Sequence, residues 1–341
     1  MREPSKELVR AVRQSTLPTL LFRVPGEEIL AASDEASRLF GVPVEDLVGR
    51  NVEDFADGQP TGALPLVATG TLSGFQARRR WRRPDGEWQP LQAWIRGADT
   101  RVPVEFAISI LWPADRSAWS YLPGHPGDAE GVVVVGTVNG RMEIERVSDD
   151  VRSFGSEPDD VIGSSVFRLF DVTSAADVLA ALARATARDQ GVCIAVNVHV
   201  NGKPALADLL LRPTHPSPSF SFSMMYANRS SDTGGTADER SLQQLGRGLQ
   251  ALALADAFTL LQQANVPGVD KLTTRELDIT ARLLSGDRVP AIASSIYLSQ
   301  STVRNHLSRV FHKLGVSSQQ EMIERFRETA ERLRVDDTSS S

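Results

Sequence analysis

One cysteine, Cys193, stands in a chain of 341 residues. A lone thiol excludes an intramolecular disulfide framework and a cysteine-rich zinc site, and it fits a reducing compartment. Long apolar runs are missing as well. The longest, around Val132–Val138, falls far short of the ~20 residues that span a bilayer. No apolar core follows a basic start, so no secretory leader is expected. The catalytic signatures G-x-x-x-x-G-K-[ST], H-E-x-x-H and G-x-S-x-G are absent, and nothing marks an enzyme or a metal site. What is present is ordinary for a globular protein of two or three domains: 41% apolar and 23% charged residues. The expectation is a cytoplasmic protein with no membrane association.

Acid is missing from one particular place. Between Ser299 and Val316 the sequence SQSTVRNHLSRVFHKLGV holds three cations and no carboxylate, although the chain carries a net charge of −6. The wider region from Asp270 to Arg334 has 11 Lys+Arg against 8 Asp+Glu, a balance of +3. The 269 residues before it carry 26 against 33, or −7. A basic end on an acidic remainder suggests an anionic partner for that end.

The acidic remainder repeats itself. Phe40–Gly49 reads FGVPVEDLVG and Phe154–Gly163 reads FGSEPDDVIG, at a constant offset of 114. Each follows an acid-rich helix start, SDEASRLF or SDDVRSF, and each precedes an apolar aromatic element. In copy one, strands around residues 18–32 flank a Pro25-Gly26 turn. Two long strand-like runs then meet at Pro84-Asp85-Gly86, and VPVEFAISILW adds a further strand. Copy two has VVVVGTV and RMEIERV, a helix through AADVLAALARATARDQG, and three more strands with a hairpin turn at Asn201-Gly202. Two strands, short helices, one longer helix and three antiparallel strands resemble the PAS sensory domain, over residues 15–112 and 131–228. The resemblance implies an α+β multidomain fold with two PAS-like antiparallel sheets, and a small apolar ligand as a candidate occupant of a PAS core.

Pro113–Gly131 reads as a Pro/Gly-rich loop, and Arg229–Thr236 as a linker. Thr236-x-x-Glu239 forms a capping box for a connecting helix over 237–264. Its stripe of Leu242, Leu245, Leu249 and Leu252 is expected to pair between two chains or to fold back on its own PAS sheet. Gly246 and Gly248 weaken it.

Beyond it the helix punctuation is dense. Thr273-x-x-Glu276 caps a helix with Leu277, Ala281 and Leu284 on one face, closed by Gly286. Pro290 suits the first turn of a second, with Ile292, Ala293 and Ile296 inward. Ser299 caps a third, whose Val303, Leu307, Val310 and Leu314 repeat at 4-3-4 spacing. Gly315 ends it, and Ser318-x-x-Glu321 caps a fourth. Two helices joined by a tight turn, the second polar outside, follow the helix-turn-helix plan. The outer face of the third helix carries Ser301, Thr302, Arg304, Asn305, Ser308, Arg309, His312 and Lys313. Arginine can pair bidentately with guanine and asparagine with adenine, so Arg304 and Asn305 suit base reading in a major groove. Thr302, Arg309 and Lys313 suit phosphates.

These residues, LTTRELDITARLLSG and IASSIYLSQSTVRNHLSRVFHKLGVSSQQEMI, resemble the LuxR/FixJ-type four-helix DNA-binding domain over residues 270–334. The resemblance implies that Thr302, Arg304 and Asn305 contact DNA and that the fourth helix can dimerise. Pro290 and Ser308 stand where members place phosphate-contacting lysines, so those two contacts are not carried over. Glu276 reads as a cap and His306 as a packing residue. The expectation is a homodimeric, sequence-specific regulator bound to double-stranded DNA. The competing reading is a signalling adaptor whose helical domain only dimerises.

Other features are weaker. RRRWRR (Arg78–Arg83) lies in a strand whose neighbours alternate between two faces, which favours a solvated or partner-facing surface over nucleic acid. The five tryptophans between Trp81 and Trp119 favour sheet packing over pocket lining. Val52 stands where a flavin-adduct cysteine would be, which excludes a photoadduct. His199 is the candidate haem ligand on an apolar strand, with a structural histidine the commoner case. His125 and His215 are expected to be solvated. The cofactor is left unknown.

Overall fold

The computed structural model describes residues 2–24, 26–57, 62–98, 102–115, 132–214, 219–226, 237–263, 266–284, 287–296, 298–326 and 328. Within the first copy, β1 (Thr19–Arg23), β2 (Ile29–Ala32), β4 (Gly74–Arg82), β5 (Trp88–Gly97) and β6 (Phe106–Pro113) form an antiparallel sheet in the order β2-β1-β6-β5-β4, with the two-residue β3 (Ala56–Asp57) beside β4. The second copy repeats the plan with β7 (Val132–Val138), β8 (Ile144–Val147), β9 (Val192–Val200), β10 (Lys203–Thr214) and β11 (Ser219–Tyr226), in the order β8-β7-β11-β10-β9. The repeat therefore encodes one topology twice.

Its glycines show why the motif recurs. Gly41 and Gly155 end their helices at φ 70° and 75°, and Gly49 and Gly163 sit at φ 86° and 79°. An L side chain adopts these angles only at a cost. Gly49 then donates to Ile29 O at 2.8 Å and Gly163 to Ile144 O at 2.7 Å, tying each helical segment to the same strand.

The two sheets join edge to edge. β4 pairs with β9 through Gly74↔Cys193 and Phe75↔Val192, so eleven strands form one continuous sheet among the described residues. Alternation along each strand divides its side chains between two cores. In β6, Phe106, Ile108, Ile110 and Trp112 face one, while Ala107 and Leu111 face the other.

Onto the first of these faces lies the connecting helix, Ala237–Gln263, which crosses β5, β6, β7, β10 and β11. Leu245 and Leu249, whose stripe suits either a second chain or the chain's own PAS sheet, are covered by this chain's own sheets at 2% exposure each. This corrects the interchain reading of the stripe. Burying each leucine is worth about 1.5–3 kcal/mol, and the helix gains it without a partner. Gly248 has a packing role: a Cβ there would lie 2.3 Å from Trp94 Nε1. The expected cap Thr236 lies outside the described residues, as does the side chain of Leu242. From Ala251 to Ala255 every residue is buried, because the first helix of the C-terminal domain packs on the opposite side.

That domain has helices Thr274–Leu284, Val289–Ser295 and Gln300–Leu314, followed by a helical segment over 319–326. The first capping box forms as spaced. Thr273 N donates to Glu276 Oε2 at 2.8 Å, and Glu276 N donates to Thr273 Oγ1 at 3.3 Å. At the fourth helix Ser318 caps, with Glu321 N donating to its Oγ at 3.1 Å, but the Glu321 carboxylate accepts from Ser317 N at 2.8 Å, one residue earlier than the box requires. Leu277, Ala281, Leu284, Ile292, Ile296, Val303, Leu307, Val310 and Leu314 are all buried in one cluster with Met322 and Phe326. Gly286 lies outside the described residues.

Candidate nucleic-acid interface

Ser299 starts the third helix by accepting from Thr302 N at 3.1 Å, and Gly315 ends it at φ 66°. The 4-3-4 stripe turns inward: Val303 and Val310 are 0% exposed. The opposite face is therefore presented to solvent by the helical period alone. On it Ser301, Arg304, Asn305, Ser308, Arg309 and His312 are exposed and Thr302 is half-buried. Arg304 Nη2 makes one long hydrogen bond, 3.4 Å, to Gln300 Oε1 on the same helix. Thr302 Oγ1 and Ser301 Oγ lie 2.8 and 2.7 Å from Ser299 Oγ, within the cap. Arg304 and Asn305, adjacent at the N-terminal end, keep their planar donor and acceptor groups free for base edges.

Lys313 is placed differently from the other cations. Its Nζ donates to Glu276 Oε2 at 2.5 Å, and Glu276 is 3% exposed. Burial pushes the Glu276 carboxyl up, but hydrogen bonds from Lys313 and Thr273 outweigh it and hold the pKa below the ordinary glutamate value. Lys313 thus neutralises the capping carboxylate of the first helix, a contact that the helical wheel of the third helix cannot reveal. His306 is half-buried and its Nδ1 has no hydrogen-bond partner. Burial, and then Arg309, hold its pKa below the usual histidine value.

A second polar cluster joins this domain to the second PAS copy, and nothing in the sequence pattern singled it out. Arg275 Nε lies 2.8 Å from Asp149 Oδ2. Arg282, 2% exposed, pairs with Asp150 and, at 2.9 Å, with the fully buried Asp278. Asp287 stands nearby, its carboxyl raised mainly by burial. Burial likewise raises Asp149, against the pull of Arg275, and pushes Asp150 up to about 7 against Arg282. The available signal was the polar pair Asp278 and Arg282 at i,i+4 within an otherwise apolar helix.

The remaining candidates fall elsewhere. In β4, Arg78, Arg80 and Arg82 point out while Arg79 and Trp81 point in. Arg79 pairs with the buried Glu27 at 2.8 Å, and Arg80 pairs with Asp57. Trp94 and Trp112 lie under the connecting helix, Trp88 is 44% exposed, and Trp81 stacks between Phe40 and Phe55. Trp81 also lines a cavity of about 50 Å³ in the first PAS core, with Leu20, Phe22 and Leu91, closed at one side by the Glu27–Arg79 pair. His199 corrects the haem candidate: it is exposed, with Nδ1 3.2 Å from Asp171 Oδ1, and faces neither core. Cys193 is buried at the sheet junction, and burial pushes its thiol up to about 12. Trp119, His125 and His215 lie outside the described residues. Among the described residues no group of three or more His, Cys, Asp or Glu could hold a metal. No described helix is long and apolar enough to cross a membrane.

Comparison with known proteins agrees with this architecture. The family model for bacterial regulatory proteins of the luxR family matches residues 270–326. The PAS domain model matches twice, over 18–111 and 129–217, together just over half of the chain. The probable transcriptional regulatory protein NarL of Mycobacterium tuberculosis is 39% identical over 57 residues, 17% of this chain and 26% of that protein. Spore germination protein GerE of Bacillus subtilis is 36% identical over 52 residues, 15% of this chain and 70% of that protein. The chain thus spans about a quarter of the NarL relative. Among solved structures, the PAS domain of a LuxR-family transcriptional regulator from Burkholderia thailandensis, in complex with ethanol, is 18% identical. It covers 33% of this chain and 100% of that chain with a TM-score of 0.25. The PAS domain of an HTR-like protein from Haloarcula marismortui is 11% identical, over 31% of this chain and 88% of that chain, with a TM-score of 0.26. With two PAS domains ahead of a C-terminal output domain of this kind, the chain belongs to the luxR family of bacterial regulatory proteins.

Proposed function

We propose that this protein regulates transcription by binding specific sequences in duplex DNA through the outer face of the helix Gln300–Leu314. The observation that carries this reading is the exposed, acid-free face on which Arg304 and Asn305 stand side by side, with no ion pair to Arg304 among the described residues and one 3.4 Å bond to Gln300. Arg304 reads guanine, Asn305 reads adenine, Ser301, Thr302 and Arg309 line the phosphates, and Ser308 lies on the same face. Lys313 supports the domain instead of touching DNA.

In this reading two copies bind two half-sites from the cytoplasm, and no catalytic step is involved. The stripe of the connecting helix is spent on the sheets, so the copies meet through another surface, the fourth helix by the family resemblance. The first PAS core, which keeps an apolar cavity of about 50 Å³, is a candidate site for a small apolar ligand.

Binding isotherms on a selected site and a scrambled duplex, at several salt concentrations, test the assignment. Arg304→Ala or Asn305→Ala is expected to cost about 1–3 kcal/mol on the selected site and to narrow the gap between the two duplexes. Wild-type binding of both duplexes by both variants contradicts the assignment, and the adaptor reading replaces it.

A further inference from the structure

The contact between the second PAS domain and the output domain is built from ions, and one of them stands beside the DNA face. Arg275 opens the first output helix. Its neighbour Glu276 is fixed to Lys313 of the reading helix at 2.5 Å, which joins this end of the first helix to the side of the reading helix that carries His306 and Lys313. His306 lies within electrostatic reach of both Arg309 and Arg275. Duplex DNA laid on the outer face brings a phosphate strand along each edge of the helix. Arg275 is 24% exposed along its side chain, yet its guanidinium is held by Asp149 at 2.8 Å and reaches Asp278 at 3.9 Å.

Asp149 is an unusual holder. Its side chain is 6% exposed, and Arg152 of its own turn already donates to it at 3.1 Å. Behind it Asp150 engages Arg282, and Glu157 engages Arg152 at 2.7 Å. The second PAS domain therefore sets two covered carboxylates, Asp149 and Asp150, against the first output helix, beside the edge that carries Lys313.

We propose that Arg275 is a phosphate ligand of the output domain, and that Asp149 occupies it in the docked form, so that docking and DNA compete for one arginine. The proposal rests on the reading helix being the DNA face. A ligand or partner that loosens the second PAS domain then raises DNA affinity by freeing Arg275, without altering the base-reading residues.

The test uses the full chain and a random-sequence duplex, read by fluorescence anisotropy across a salt series. Asp149→Asn keeps the shape and removes the charge. It is expected to tighten binding by about 5–150-fold, the usual range of coupling between two sites, and to steepen the salt dependence by about one contact. Arg275→Ala placed on Asp149→Asn is expected to abolish both gains. Equal or weaker binding by Asp149→Asn overturns the proposal. A second measurement needs no variant: in the wild-type chain, added duplex is expected to speed hydrogen exchange over residues 149–154, and unchanged or slower exchange overturns the competition. Arg304→Ala on Asp149→Asn, measured on the selected site where base reading contributes, separates the two readings. If it weakens binding while Asp149→Asn itself matches wild type, only the present proposal fails. If it changes nothing, the DNA face is wrong, and this proposal falls with it.

Discussion

The two PAS domains open their helical segments with nearly the same tripeptide, Ser33-Asp34-Glu35 and Ser148-Asp149-Asp150. The serine does the same work in both. Ser33 Oγ accepts from Thr19 N at 2.9 Å, and Ser148 Oγ accepts from Val135 N at 3.1 Å, each tying the helix start to the first strand of its sheet. The acids part ways. Asp34 is exposed and Glu35 pairs with Arg38 on the surface, whereas Asp149 and Asp150 are covered by the output domain and engage Arg275 and Arg282. A local capping motif thus supplies the fold twice. What later packs against it decides whether its charges are solvated or used.

The sharpest way to break this comparison is to remove the matching cation from each copy. Arg282→Met removes the cation shared by the fully buried Asp278 and the covered Asp150. Among the described residues it leaves Asp278 only the 3.9 Å contact with Arg275, a loss expected to cost about 3–5 kcal/mol. Arg38→Met, on an exposed pair, is expected to stay within about 0.5 kcal/mol. Denaturant unfolding of the two variants measures both. Equal losses would mean that the docked cluster is no more than a surface ion pair.

Gly248→Ala sharpens a second contrast, between the helix as an isolated element and the helix on its sheet. Alanine favours an isolated helix by about 1 kcal/mol. Here the added Cβ meets the Trp94 indole, and a net destabilisation of about 1–3 kcal/mol is expected. Stabilisation in thermal unfolding would show that the helix does not press on β5.

Acidity tests the same contrast. In Asp150 burial raises the pKa from 3.8 to about 7, so the docked state favours the protonated carboxyl. This contribution is complete below about 3.8 and is lost as pH rises through about 7, by at most about 1.4 kcal/mol per pH unit. The surrounding charges are Arg282, Asp278, Arg275 and Asp287 on the output side, and Asp149 and Arg152 on the PAS side. Hydrogen exchange over 149–154, corrected for the chemical rate, is expected to quicken between pH 5 and pH 8 relative to the segment 34–40. Asp150→Asn is expected to remove the difference. A flat response in wild type would place Asp150's ionisation outside the docking equilibrium.

The smallest effect concerns Lys313. On the reading proposed above, Lys313 stays with Glu276 and adds no phosphate contact. Lys313→Ala is expected to leave the salt slope of DNA binding unchanged while lowering the melting temperature. A slope flattened by about one contact would return Lys313 to the DNA face.

The legible parts of this molecule were those encoded by neighbours in sequence. Caps at Thr273, Ser299 and Ser318, the αL glycines Gly41, Gly155 and Gly315, the turn at Asn201-Gly202 and the stripe Val303–Leu307–Val310–Leu314 each depend on residues within one or two turns, and these form where the spacing puts them. The repeat was legible because its glycines answer a local backbone demand. The unreadable parts were relations between distant elements. Leu245 and Leu249 formed a stripe that two partners could satisfy, and their own sheets did. Lys313 meets a carboxylate 37 residues earlier, Glu276, a contact that the wheel of its own helix does not display. The cluster of Asp149, Asp150, Arg275 and Arg282 spans more than 120 residues of sequence, and no periodicity within one helix announces such a meeting.

The central claim, that Arg304 and Asn305 read bases, is tested most directly by selecting sites from a pool of random duplexes with the full-length wild-type chain and, in parallel, with Arg304→Ala. The account predicts a defined wild-type consensus containing a guanine whose preference disappears in the variant while the other positions persist. An unchanged consensus from Arg304→Ala, or no consensus from the wild type, would contradict it.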